Sequence, residues 1–472
     1  MTTKRVIREA IAAVLIGLLG FLAAVTPAGA AERVAARAEI AAMLPEAAQW
    51  SLVVIDMATG REAVHLGSGA ARALVPGSLV KLLTAGALLD LAASHTPDLR
   101  TTLGHDGTIA SGVLSGNLYL SGRGNALLST ADLAELVKAL TESGVGRVEG
   151  DLVVDATRLD AGGVQRKRGS PARAVAGALG LDLHTVAVTV TPAAWRGAPT
   201  VAVEPPNDQV RIALEAKSVA LTGSAPEITR LDDLSYRVTG NISLGGASVR
   251  RRFPLSEPAL FAGGTLRTLL RRGGIGMKGL VRTGEEPGKA RQLAAVHPPD
   301  LDTLLRDMNT QSLNVVADNL LLVLGGERFA APGTRDKGVR ALTEFLERLG
   351  FAADEATIAD GSGVHDDNRL TAEFLARYLY RVASKPWFDR FYATLPRAGM
   401  DGTLRDYPFV DERFRVKTGN LENAYSLAGY GVARQGRRVA FSFIVNHPGC
   451  GVLEMKKAGG ALMKHLATEV LW

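Results

Sequence analysis

One cysteine, Cys450, stands in a chain of 472 residues, so no disulfide within the chain is available to hold the fold together. Aromatic residues make up 5% of the sequence, and no basic run alternates with them. That removes the stacking surfaces on which single-stranded nucleic acid is bound, and nucleic acid is not an expected partner. The eight histidines are scattered, and none forms H-x-x-x-H or H-E-x-x-H. The nearest metal candidate, "VHDD" at 364–367, reads as loop polarity. No G-x-S-x-G elbow supports a serine–histidine triad. Past the first 25 residues no apolar run reaches membrane length, and no internal repeat is evident.

What is present begins with a leader pattern. Lys4, Arg5 and Arg8 precede an apolar run over 10–25, and Ala28-Gly29-Ala30 offers a small-x-small cleavage site. Residues 1–30 are therefore expected to be a signal peptide, with the mature chain starting near Ala31. Export without disulfides suits the envelope of a bacterium, in the periplasm or the cell-wall space. The formal charge is +6; the leader holds three cations and Glu9, so the mature chain carries about +4. The basic clusters Arg166-Lys167-Arg168 and Arg250-Arg251-Arg252 would suit peripheral association with a wall or lipid surface. Solvated loop and edge charge explains them more simply.

With 47% hydrophobic residues the chain can bury a large core, and its length favours more than one domain or one domain with a big insertion. "WSLVVIDMATGREAVHLG" (50–67) reads as two strands about a turn at Ala58-Thr59-Gly60, and an apolar helix over 75–93 follows. From about 96 to 250 the text turns to short strands and Gly-rich turns, with one amphipathic helix over 130–144. Helices are expected again over 265–274, 300–326 and 370–383. Strands over 413–419, 425–434 and 437–447 come next, then a last helix over 453–471. Strands at both ends with helices between them predict one α/β domain whose sheet joins the N- and C-terminal segments, with about 96–292 as an insertion.

The helix over 75–93 holds one lysine, Lys81, among Leu79, Val80, Leu82 and Leu83. Ser78 precedes it by three residues, so the two share a helix face with Cβ atoms about 5–6 Å apart. Apolar surroundings lower a lysine's proton affinity and let it serve as a base. The positive end of the helix favours a serine alkoxide. Ser78 is the only serine with lysine at the third position. "SLN", Ser312 to Asn314, sets a hydroxyl and an amide two apart at a break in helical text. "VKTG", Val416 to Gly419, ends a strand with an ammonium, a hydroxyl and a glycine, an edge suited to gripping a carboxylate. Ser115-Gly116-Asn117 also fits S-x-N but precedes a strand in the insertion and is set aside.

In order, S-x-x-K, S-x-N and K-T-G form the signature of penicillin-binding proteins and class A β-lactamases. The wider text resembles the S13 peptidases, D-alanyl-D-alanine carboxypeptidase/endopeptidases of the penicillin-binding protein 4 type. The phrases carrying the resemblance are "PGSLVKLLTAGALL", "GNLYLSGRGN", "EGDLVVD", "MNTQSLNVVADN", "ADGSGV", "LPRAGMDGTLR" and "VKTGNLENAYSLAGY", which span nearly all of the mature chain. The resemblance implies a β-lactamase/transpeptidase-like α/β (α+β) domain, an antiparallel sheet flanked by helices, formed by 32–95 and 293–472, with 96–292 as a large insertion of two accessory subdomains. It implies removal of the terminal D-alanine from peptidoglycan stem peptides through an acyl-enzyme, and cleavage of D-alanyl cross-links. β-Lactams would act as acylating inhibitors, and no cofactor or metal is implied. Leu313 stands where the family commonly has a polar residue, and Asp318 where it often has glutamate.

The resemblance also implies roles. Ser78 attacks, Lys81 takes its proton, Ser312 passes a proton to the leaving amine, and Asn314 holds Lys81 and the substrate amide. Lys417 and Thr418 bind the terminal carboxylate. Gly419 admits the substrate backbone, and the N–H groups of Ser78 and Asn420 hold the oxyanion. Ser362 is given a structural role. Two rivals stand beside this reading. A serine β-lactamase is disfavoured because no E-x-x-L-N motif supplies the water-activating glutamate. A non-catalytic wall-binding scaffold would use the insertion and the basic loops.

Overall fold

The computed structural model describes residues 30–67, 72–162, 174–193, 197–220, 222–433, 436–448 and 451–468. The leader expected over 1–30 lies, but for its last residue, outside the described residues. Arg166-Lys167-Arg168 and Cys450 lie outside them too. The chain divides into two compact units: Met1–Leu79 with Asp354–Thr357 and Asp366–Trp472, and Val80–Ala353 with Ile358–His365.

The first unit is built on a six-stranded sheet in the order Glu62–Gly67, Gln49–Asp56, Arg438–Asn446, Ala424–Val432, Asp411–Leu421, Arg397–Ala398. Every neighbouring pair is antiparallel. The central strand Arg438–Asn446 is buried along nearly its whole length, as expected where helices cover both faces of a sheet. Phe441, Phe443 and Val445 point to one face, where Ile40 of the helix Ala30–Ala42 and Met455, Leu462 and Leu466 of the helix Val452–Ala467 complete a core. The other face takes the helix Ala372–Val382, through buried Phe374, Leu375, Tyr378 and Leu379. The C-terminal amphipathic helix therefore spends its apolar stripe on the sheet. Its described extent, Val452–Ala467, starts one residue before the expected 453.

The second unit joins the helices Val80–Ala92, Leu301–Thr310, Asn314–Phe329 and Arg335–Arg348 to the strand-rich middle of the chain. Two separate cores lie in that middle. One packs the helices Thr130–Glu142 and Pro258–Arg272 on a five-stranded sheet through Leu103, Leu120, Val154, Leu136 and Leu266. The other gathers Val186, Val188, Ile228, Tyr236 and Val238 from small sheets over 185–254. Local chemistry starts several of these elements. Ser129 and Asp132 form a reciprocal capping box, and Thr334 and Asp300 cap the helices that follow them.

Three expectations need correction at this level, while the expected break in the helical text is present. The apolar helix begins with a 3-10 turn, Gly77–Leu79, and is α-helical only over Val80–Ala92. The helix expected over 265–274 starts earlier, at Pro258, because proline at the first position suits a helix start. The text over 300–326 is two helices, Leu301–Thr310 and Asn314–Phe329, parted at the break expected there, where Ser312 takes a left-handed φ of 57°. Lys417-Thr418-Gly419 does not end its strand, which runs on to Leu421 before the turn into Ala424–Val432.

Candidate active site

In the second unit Lys81 is fully buried, one residue into the helix Val80–Ala92. Its Nζ donates to Asn314 Oδ1 at 2.7 Å and to the carbonyl of Ser362 at 2.7 Å. Both are neutral acceptors. Burial lowers the lysine's proton affinity from the ordinary 10.5 to about 8, against an opposing pull from the Asp318 and Asp360 carboxylates. The amine is thus held in place and is free of its proton in part near neutral pH. Asn314 opens its helix with no side-chain cap before it, since Leu313 sits at the N-cap position. A helix start with no capping side chain, behind a left-handed serine, breaks the usual rule at the position the motif needs.

The loop 360–365 is shaped around one carboxylate. Asp360 accepts from the backbone N–H groups of Gly363, Val364 and His365 at 2.7, 3.0 and 2.7 Å, and from Ser362 Oγ at 3.1 Å. This turn aims the Ser362 carbonyl at Lys81, so the residue's structural role runs through its backbone. Thr84 Oγ1, three residues beyond Lys81, donates to the Gly361 carbonyl at 2.9 Å. Asp318 Oδ1 accepts the Gly361 N–H at 3.1 Å. Burial, with Asp360 nearby, raises the Asp318 carboxyl to about 7. A cavity of about 390 Å³ opens beside these groups, its wall including Leu313, Asn314, Asp318, Ser362, Arg335 and His365.

In the first unit Ser78 sits in the 3-10 turn and is almost wholly buried. The turn is tied down at two points. Ser426 Oγ donates to the Pro76 carbonyl at 2.6 Å, and Asn446 grips both backbone groups of Val75 at 2.8 and 3.0 Å. Gly419 pairs with Ser426 across the hairpin and lies so close to the turn that a Cβ there would meet Ser426 Oγ at 2.2 Å, Pro76 O at 2.7 Å and Ser78 N at 3.0 Å. Gly77 has a φ of +54°, and a Cβ on it would lie 3.5 Å from Asn420 N. The two glycines let the turn and the strand approach at backbone distance, with the amides of Ser78 and Asn420 beside that contact. Lys417 is fully buried and donates from Nζ to the Thr418 carbonyl at 2.7 Å, while Thr418 Oγ1 bonds Thr403 Oγ1 at 2.8 Å.

The structure thus gathers the residues singled out in the sequence into two sets. Ser78, Lys417, Thr418, Gly419 and Asn420 belong to the first unit, and Lys81, Ser312 and Asn314 to the second. Ser78 and Lys81 are three residues apart in the chain. Five residues with a part in this geometry were not singled out: Thr84, Asp360, Thr403, Ser426 and Asn446. Asp360 had a signal, since Asp before Gly-Ser-Gly is a side-chain-to-backbone turn pattern. The others lie in ordinary helix, loop or strand text. No cluster of three metal-ligating residues occurs among the described residues.

Comparison with known proteins supplies the wider setting. Residues 33–469 match the D-Ala-D-Ala carboxypeptidase 3 (S13) family. The chain is 30% identical over 482 aligned residues to a D-alanyl-D-alanine carboxypeptidase of an Actinomadura species, covering 93% of this chain and 86% of that one. It is 26% identical to the D-alanyl-D-alanine carboxypeptidase DacB of Haemophilus influenzae, over 83% of this chain and 84% of that one. Among solved structures, penicillin binding protein 4 from Haemophilus influenzae superposes with a TM-score of 0.78 at 22% identity, covering 92% of this chain and 99% of that one.

Proposed function

The chain belongs to the S13 family of D-Ala-D-Ala carboxypeptidases, and on that footing we propose how its own residues perform the reaction of a serine D,D-peptidase. Ser78 attacks the carbonyl of the penultimate D-alanine, and Lys81, as the free amine, accepts the hydroxyl proton. The backbone N–H groups of Ser78 and Asn420 hold the oxyanion. Ser312 carries a proton to the departing amine, and Asn314 keeps Lys81 in place. Thr418 meets the terminal carboxylate, and Lys417 supplies positive charge from beneath the strand. Water then releases the acyl group.

The observation that supports this most directly is Lys81 itself. It is a fully buried amine, fixed by two neutral acceptors, three residues past a serine in a turn pressed against a glycine strand. Hydrogen bonds to an amide and a carbonyl hold the amine in place, while burial lowers its proton affinity. The substrate is a peptidoglycan stem peptide ending in D-Ala-D-Ala. The same chemistry extends to D-alanyl cross-links, and β-lactams acylate Ser78. The enzyme works outside the cytoplasm, exported through its leader, and no described helix is long and apolar enough to cross a membrane. Segment 96–292 is an accessory region.

A fluorescent penicillin tests the assignment. Stable labelling that is lost in Ser78→Ala, with release of D-alanine from a defined stem peptide by the unaltered protein, is the expected outcome. Rapid turnover of the label would point to a β-lactamase. No labelling would leave a wall-binding scaffold.

A further inference from the structure

Behind Lys81 lies a carboxyl group to which the reaction as written gives no part. Asp318 follows Asn314 by four residues on the helix Asn314–Phe329, so the two lie one turn apart on the same face. Asn314 holds the lysine directly. Asp318 holds the backbone of Gly361, next to the carbonyl that the lysine also holds. The packing there leaves no slack. A Cβ on Gly361 would meet the Ala317 carbonyl at 2.4 Å, so this loop rides directly on the helix. Thr84, from the lysine's own helix, ties down the Gly361 carbonyl. Two helices therefore converge on two residues of loop, and Asp318 is the one acidic side chain that the helix Asn314–Phe329 contributes there.

We infer that Asp318 is a positioning residue for Lys81, holding the 360–362 loop on the lysine and maintaining through its negative charge the basicity that burial would otherwise remove. The inference rests on the assignment of Lys81 as the base. Two opposed forces meet at the amine. Burial alone would leave a weak base, populated in its free form but poor at taking a proton from a serine hydroxyl. The charge of Asp318, backed by Asp360, opposes burial and keeps the amine near the strength that neutral-pH catalysis favours. Asp360 accepts from four donors of its own loop, whereas Asp318 lines the cavity and accepts the Gly361 N–H.

Other charged groups stand on the elements packed around this pair. Arg335 and His365 line the same cavity. Asp182 and His184 flank Leu183 in its wall, and Asp302, Arg306 and Asp307 lie on the helix Leu301–Thr310. Asp90 pairs with Arg348 near the end of the lysine helix, and Glu327 and Arg328 lie at the distal end of Asp318's own helix. None of these is altered in the test.

The test is the second-order rate of acylation by a fluorescent penicillin from pH 5.5 to 9.5. Removing the charge lowers the lysine's proton affinity, so the acid limb of the profile should move to lower pH. In Asp318→Asn a shift of about one pH unit is expected, with about a tenfold lower plateau from the weaker base. Asp318→Glu should keep the limb of the unaltered enzyme. Asp318→Ser, which retains an acceptor for the Gly361 N–H, should follow Asp318→Asn and serves in its place if that variant does not fold. A limb that stays put in the neutral variants, whatever happens to the plateau, overturns the inference. So does a limb that moves as far in Asp318→Glu as in Asp318→Asn. Persistent labelling in Ser78→Ala, or an unchanged acid limb in Lys81→Ala, would instead strike the functional assignment beneath it and carry this inference away too.

Discussion

Gly419→Ala puts the active-site geometry under the most direct strain. Ordinary packing contact begins near 3.4 Å, and the new methyl would lie 2.7 Å from the Pro76 carbonyl and 3.0 Å from Ser78 N. Those are backbone atoms of a turn anchored by Ser426 and Asn446, so neither can swing aside as a side-chain tip would. The third contact, Ser426 Oγ at 2.2 Å, can rotate away, but only by giving up its bond to Pro76. Relief thus requires the strand and the turn to separate by several tenths of an ångström at the two amides assigned to the oxyanion. Overpacking of this kind costs about 1–3 kcal/mol of stability. Loss of oxyanion alignment costs about 10²–10³ in rate, or about 2.7–4 kcal/mol of activation free energy.

The expected result is a folded protein with a melting point lower by a few degrees and an acylation rate about a hundredfold down. Adding Ser426→Ala removes the hydroxyl clash and leaves both backbone clashes. It should recover part of the stability without recovering the rate. Acylation at the unaltered rate, measured with the fluorescent penicillin on a Gly419→Ala protein of unchanged melting point, would refute the reasoning. The turn would then have room that the structure denies it.

Lys81→Ala should cut acylation at pH 7.5 by about 10³-fold while leaving the circular dichroism spectrum intact. A near-normal rate would remove the lysine from the mechanism. His184 is fully buried, its Nδ1–H donating to the Val175 carbonyl at 2.6 Å, and burial lowers its proton affinity from the ordinary 6.5 to about 4. The folded state therefore resists a proton that the unfolded chain accepts. This contribution to stability is complete above pH 6.5 and is lost as pH falls toward 4, by roughly 3 kcal/mol in all. Urea unfolding at steps from pH 7 to 4.5 should show a shallower loss for His184→Gln than for the unaltered protein, and equal slopes would exclude the histidine as a source.

The burial of Lys81 was legible because its cause is local. Ser78 and Lys81 are three apart in the chain, and a lysine ringed by leucine and valine is a lysine bound for the interior. The strands expected over 413–419 and 425–434 form the hairpin Asp411–Leu421 with Ala424–Val432. The groups that hold this machinery in place were not legible. Asn446 reaches Val75 across 371 positions of sequence, and Thr84 and Asp318 reach Gly361 across hundreds or tens. Each is a polar residue in unremarkable text, and only the tertiary fold gives it a partner. The strand end misplaced at Gly419 has a similar cause, since glycine there serves a close backbone approach and not a turn.

The strand Gln49–Asp56 pairs along its full length with Arg438–Asn446, register Val53 to Ser442, so the centre of the sheet is stitched from the two extremes of the chain. A growing polypeptide emerging in order from its first residue exposes one edge of that seam almost four hundred residues before the other arrives. The serine turn is fastened to the late strand through Asn446. A product that stops short of Arg438 accordingly has the serine turn but not the strand that fastens it.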